Sequence, residues 1–281
     1  RSTSSAASDV YKRQQLNHAT LHDLIGKHLK KPMYDLLGGK KRLNAPMFWM
    51  IAGSKDEMEL AKARIDDGYI AFKVKVGMNL PDHDLVRSEK SRKICGNGVH
   101  VSADANQGYS PPNAIKFAKG AGDAGLDFFE QPVNGHDIES MKNCAAVCSV
   151  PIAADEGIHS IEDIQKHYDQ KAAMGGSLKL IKLGSASGVM EGAKLMQKLS
   201  MSVNLAGKTA DTSIGSAAIS HLAVSLPTLE WDASVTNQYL ADDVVRNPIQ
   251  VVNGHIVTPD GPGLGIEVDE DKIEKYKRNL Q

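Results

Sequence analysis

Residues 71–182 decide the reading of this chain. Within them Ala71-Phe72-Lys73-Val74-Lys75, Val101-Ser102-Ala103-Asp104, Asp127-Phe128-Phe129-Glu130, Pro151-Ile152-Ala153-Ala154-Asp155 and Leu178-Lys179 follow one another. Each is a short apolar run that ends on a charged side chain. The ends fall at 75, 104, 130, 155 and 179, in steps of 29, 26, 25 and 24 residues. A step of that size holds one strand, one crossover helix and its turns. Nearly equal steps place the five charged groups at equivalent points of successive βα units.

Working outward, similar runs occupy 45–51, 70–76, 99–103, 126–129, 150–153, 178–181, 201–205 and 228–231. Amphipathic stretches such as 55–67, 81–94 and 160–171 lie between them. Helix-start signals precede or open these stretches: Ser54, Pro81 with Asp82, and Ser160 with Glu162 and Asp163. Eight strands alternating with helices predict an α/β fold, a closed barrel of the (β/α)₈ type. The competing open sheet would want a Gly-rich phosphate turn after its first strand, and 47–53 holds only Gly53.

Composition narrows the partners. The 33 Lys and Arg nearly balance the 34 Asp and Glu, so no general attraction to nucleic acid or membrane is expected. No apolar run approaches the ~20 residues of a membrane span. Three cysteines, an odd number, argue against a disulfide framework and for a reducing cytoplasm. Residues 1–14 are Ser/Ala-rich and then basic, and read as a non-native sequencing artefact.

In a barrel the chemistry sits at the carboxyl ends of the strands. Asp104, Glu130 and Asp155 form three adjacent carboxylates with no Cys or His beside them. That donor set suits a hard cation, Mg²⁺ first and Mn²⁺ as the alternative. A lone acid there could equally cap the next helix; three in register, bracketed by lysines, point to metal. Lys75 lies one strand before them and Lys179 one strand after. Lys73 and Lys75 are two apart and share a face. A buried Lys73 needs a carboxylate partner. Such a site can remove a proton beside a substrate carboxylate through a metal-stabilised enediolate, with a lysine on either side to take or return it.

These motifs together resemble the enolase superfamily, in its muconate lactonizing enzyme subgroup, over residues 18–265. The likeness rests on Lys73-Val74-Lys75, Asp104-Ala105-Asn106, Phe129-Glu130-Gln131-Pro132, Ala154-Asp155-Glu156-Gly157 and Leu178-Lys179-Leu180-Ile181-Lys182. It implies that Lys75 and Lys179 are the acid/base pair and that Asp104, Glu130 and Asp155 are the metal ligands. Lys73 is similar to the lysine that helps bind the substrate carboxylate, Asn106 and Glu156 to supports of the site, and Lys182 is placed beyond it. The stretch 202–208 lacks the His of a mandelate-racemase-like site. Asp211 stands where the family often carries Glu. Family barrels lack the last helix, giving (β/α)₇β, and 235–240 agrees as a poor helix former.

The same resemblance divides the chain into 15–42, a remnant of an α+β capping domain; 43–240, the barrel; and 241–281, a return to the capping domain. The chain is thereby read as N-terminally truncated. Glu230-Trp231-Asp232, at the end of strand eight, are expected to face the mouth and hold a substrate ammonium, with barrel packing of Trp231 as the plainer alternative. The run 231–245 is similar to members that act on proline derivatives. The expected reaction is racemisation or epimerisation of an amino acid, proline or betaine derivative. The alternatives are a dehydratase of a hydroxyproline-type acid, a muconate-type cycloisomerase, or an inactive truncated fragment. The expected partner is a small-molecule carboxylate, in a homo-oligomer. Weaker candidates are His18 with His22, Cys144 with Cys148, and a phosphate-cradling turn at 184–188.

Overall fold

The computed structural model describes residues 19–277, so the segment 1–14 and His18 lie outside the described residues. Eight parallel strands form one sheet in strict chain order. They are β1 Phe48–Ile51, β2 Ala71–Lys75, β3 His100–Asp104, β4 Phe129–Glu130, β5 Ile152–Ala154, β6 Gly175–Leu178, β7 Ser202–Ala206 and β8 Ala233–Ser234. A parallel bridge between Met47 and Ala233 joins the last strand to the first and closes the ring. The crossover helices are α1 Glu57–Asp66, α2 Pro81–Cys95, α3 Pro111–Gly120, α4 Ile138–Val147, α5 Ile161–Asp169, α6 Ala186–Lys198 and α7 Ser213–Ser225. β8 is followed by a single 3₁₀ turn, Asn237–Tyr239. The fold is the expected (β/α)₇β barrel.

Local chemistry explains most boundaries. Pro81 opens α2, where its missing N–H costs nothing. Ser160 and Ser185 each accept a backbone N–H three residues on, capping α5 and α6. The turn at 184–188 is thus a plain βα connection: Gly184, at φ 73°, ends the one-turn helix Leu180–Leu183. α1 starts at Glu57 rather than at 55, because Glu57 turns back onto the Gly53 N–H. β6 begins at Gly175, earlier than the apolar run suggests.

Outward-facing residues of the strands make the core with the helices. Phe129 packs against Phe117 of α3 with ring centroids 4.6 Å apart. Ile152, Ile164, Leu178, Val189 and Met196 are fully buried there. The terminal segments meet outside the ring. The Met33 N–H donates to the Gly263 carbonyl at 2.8 Å and the Leu264 N–H to Asp23 at 2.9 Å. Among the described residues no helix is long and apolar enough to cross a membrane.

Candidate active site

Strand register builds the site. Lys75 pairs with Asp104, and Asp104 with Glu130, across three neighbouring strands. Asp155 directly follows β5 and Lys179 directly follows β6. All five therefore stand at the carboxyl rim. Because alternate residues of a strand face opposite ways, Lys73 shares the inner face with Lys75.

The inner side chains form two tiers. In the lower tier Lys73 bonds to Glu130 and lies 3.4 Å from the side-chain Oδ1 of Asn204. Ser177 sits within 2.5 Å of Glu130 and 2.7 Å of Asn204. Lys73 is only 3% exposed, and Glu130 is the carboxylate that its burial demands. In the upper tier the Lys75 Nζ donates to Asp104 at 2.5 Å and to Asn106 at 2.8 Å. Asn106 also donates to Glu156 at 3.3 Å. The Lys179 Nζ donates to Asp155 Oδ2 at 2.5 Å. Gln131, held at φ 37°, accepts the N–H groups of Asp155 and Gly157 and fixes that rim.

Lys182 belongs to the site, contrary to expectation. It is buried, and donates to Asp155 Oδ1 at 2.5 Å, to the Asp155 carbonyl at 2.5 Å and to the Ser177 carbonyl at 2.9 Å. One helical turn after Lys179 swings it back onto the same carboxylate. Burial would raise Asp155, but Lys182 and Lys179 hold it well below the usual carboxylate range. The two amines diverge. Burial outweighs attraction at Lys182 and pushes it down. At Lys179 the pull of Asp155 and Glu130 overcomes burial and pushes it up. Lys75 is also raised, since Asp104 overcomes its burial. Glu156 is raised by burial and by Asp155 and Asp104 nearby, and its buried Oε2 has no hydrogen-bond partner among the described residues.

Asp104, Glu130 and Asp155 each turn onto an amine. Among the described residues no trio of His, Cys, Asp or Glu is gathered as a metal cage. The donor set still fits a hard divalent ion: three buried carboxylates on adjacent rim positions, all oxygen.

Glu230, Trp231 and Asp232 are not at this mouth. β8 is Ala233–Ser234, paired with Leu205 and Ala206, so the three residues precede the strand instead of ending it. Glu230 accepts the Val203 N–H at 3.1 Å, at the start of β7. Asp232 lies 2.9 Å from Nδ1 of His100, the first residue of β3. Trp231 stacks on Phe128 at 4.2 Å and 11°. A Cβ on Gly175 would come within 2.3 Å of that indole, so glycine is required there. These contacts make the opposite, amino-terminal floor of the barrel, and the packing alternative for Trp231 holds. Asp211 follows β7, packed on Gly215; burial raises its carboxyl, and among the described residues it bonds to neither Lys75 nor Lys179.

Sequence reasoning missed Ser177, Asn204 and Gln131. The first two were findable: each faces inward on its strand at an even offset, Ser177 two residues before Lys179.

A barrel with this rim defines a class, and comparison with known proteins agrees. Residues 56–272 match the family model described as Enolase C-terminal domain-like, and the chain belongs to that family, as an enzyme of the enolase superfamily. It is 28% identical over 280 residues to a chloromuconate cycloisomerase of Pseudomonas putida, covering 97% of this chain and 75% of that one. It is 29% identical to an N-succinyl-L-Arg/Lys racemase of Bacillus cereus, covering 90% and 68%. It is 27% identical to an arabinonate dehydratase of Saccharolobus solfataricus, covering 92% and 70%. The crystal structure of muconate cycloisomerase from Pseudomonas fluorescens superposes with a TM-score of 0.88 at 27% identity, over 93% of this chain and 73% of that chain. Isomerases and a lyase are thus among the relatives of this enzyme.

Proposed function

We propose that this enzyme moves a proton at the carbon beside a substrate carboxylate, with Lys75 and Lys179 as the acid/base pair. One observation carries the reading: two amines, at the ends of β2 and β6, flank a row of three buried carboxylates at the carboxyl rim. Asp104, Glu130 and Asp155 would hold Mg²⁺, or Mn²⁺ in its place. When bound, such an ion offsets the negative charge that grows on the substrate carboxylate as the proton leaves. Lys73, at the base of the site, is suited to attract that carboxylate. Each lysine is charged and held by its carboxylate. The one acting as base must therefore first give its own proton to solvent before it accepts the substrate's, while the other, still protonated, returns a proton from the opposite face. Lys182 keeps Asp155 paired while Lys179 moves.

The proposed reaction is racemisation or epimerisation of an N-substituted amino acid or a proline or betaine derivative. The amines on two strands and the racemase relative support it. Glu230, Trp231 and Asp232 do not, because they line the floor. A muconate-type cycloisomerisation is the second reading, favoured by the relatives and structural neighbours of that name. The test is α-proton exchange in D₂O with Mg²⁺ across a panel of N-succinyl amino acids and proline betaines, with muconate cyclisation run beside it. Exchange is expected in the parent enzyme and lost in both Lys75→Ala and Lys179→Ala. Exchange that persists in either variant ends the two-lysine scheme.

A further inference from the structure

Arg87 of α2 is a half-buried cation outside the ring of acids, its side chain 11% exposed. Its Nε and Nη2 grip the Glu57 carboxylate of α1 at 2.7 and 2.9 Å. Its Nη1 donates to the Lys75 carbonyl at 2.5 Å, and its Nη2 also to the Ile51 carbonyl at 3.1 Å. Those carbonyls are the last of β2 and of β1. One guanidinium therefore ties two adjacent strand ends to the start of α1. One turn earlier on α2, Asp84 is fully buried, with Arg87 Nη1 3.8 Å away. It accepts the Gly77 N–H at 2.9 Å and the Tyr109 hydroxyl at 2.7 Å. The loop leaving β2 is thereby fastened to the loop leaving β3.

A half-buried guanidinium and carboxylate beside the fully buried Asp84 gain little over an apolar cluster of the same size. What the network fixes is the backbone beneath Lys75. That side chain is long and 29% exposed, so its amine goes where its backbone and its partners Asp104 and Asn106 send it. A planar fork sets several bonds at fixed angles, which an ammonium cannot do. Among the described residues the hydrogen bonds of Arg87 go to Glu57, Lys75 and Ile51, and none reaches β6 or Lys179.

We propose that Arg87, aimed by Glu57, is a positioning residue for Lys75 alone, fixing one of the two bases against its substrate face. The proposal rests on the reading of Lys75 as a base, and its test separates the two ideas. Lysine amines are reductively ¹³C-methylated in the whole chain. The Lys75 and Lys179 signals are assigned with Lys75→Arg and Lys179→Arg, without any substrate. In Arg87→Met the Lys75 signal is expected to shift or broaden and the Lys179 signal to stay; Arg87→Lys should not restore it. If Arg87→Met fails to fold, Glu57→Gln is read the same way. Unchanged Lys75 in a folded variant, or equal movement of both lysines, overturns the proposal. Exchange rates supply the second arm. The stereoisomer whose proton faces Lys75 should slow by roughly 10–100-fold in Arg87→Met and the other by less than about twofold. Equal slowing of both overturns the proposal. Lys75 that responds by NMR in an enzyme showing no exchange at all would sink the proton-transfer reading and leave the clamp standing.

Discussion

Trp231→Ala tests where the barrel has its floor. The indole is 9% exposed and forms a small cluster with Phe128 and Ala153, stacked on Phe128 at 4.2 Å. Its six-membered ring covers Gly175, which has no side chain to fill the space left behind. Removing a buried Trp costs about 3–5 kcal/mol, the cavity included, of which roughly 0.5–1.5 kcal/mol belongs to the stacked pair. In a chain of this size that lowers the melting temperature by roughly 5–9 °C. Calorimetry or circular dichroism measures it, and Trp231→Phe should recover part of the loss. Substrate KM should stay within about twofold, since the ring touches nothing at the rim and uniform binding is untouched. A variant that melts like the parent yet binds substrate poorly would refute the floor assignment and put the indole back at the mouth.

Mg²⁺ should raise the melting temperature of the parent and leave Asp104→Asn nearly unmoved, with about 2.7 kcal/mol gained at 100 times Kd; the same melt in both proteins would remove the metal. Lys182→Met strips one of two amine partners from Asp155, which keeps Lys179, and should cost about 1–3 kcal/mol in denaturant unfolding through the hydrogen bonds lost at Asp155 Oδ1 and the Ser177 carbonyl; a melt equal to the parent's would remove Lys182 from the site. His221 of α7 is fully buried and neutral, accepting the Tyr34 N–H and donating from Nε2 to the Leu264 carbonyl. Burial pushes it down to about 4. The unfolded chain therefore binds the extra proton first, so stability is whole above about pH 6.5 and falls as pH drops toward 4, by up to about 3 kcal/mol. His221→Phe should flatten that part of the stability profile, and an unchanged slope would dismiss His221 as its source.

The legible parts of this molecule were those written by local repetition. Strand length, helix length and alternation set the barrel, because each βα unit repeats its own signal within about 25 residues. The rim acids and lysines were legible for the same reason: equal spacing keeps Lys75, Asp104, Glu130, Asp155 and Lys179 in phase, and parity puts Lys73 beneath Lys75. Three features were decided only by the tertiary structure. β8 starts at Ala233, after the apolar run, because pairing with Leu205 and Ala206 outranks local hydrophobicity; this sends Trp231 to the floor. Lys182 enters the site through one helical turn that closes on Asp155. Arg87 meets Lys75 and Ile51 only because the ring brings β1, β2 and α2 together. A periodic pattern fixes which way a side chain faces within its own element, whereas its partners from distant segments exist only once the ring has closed.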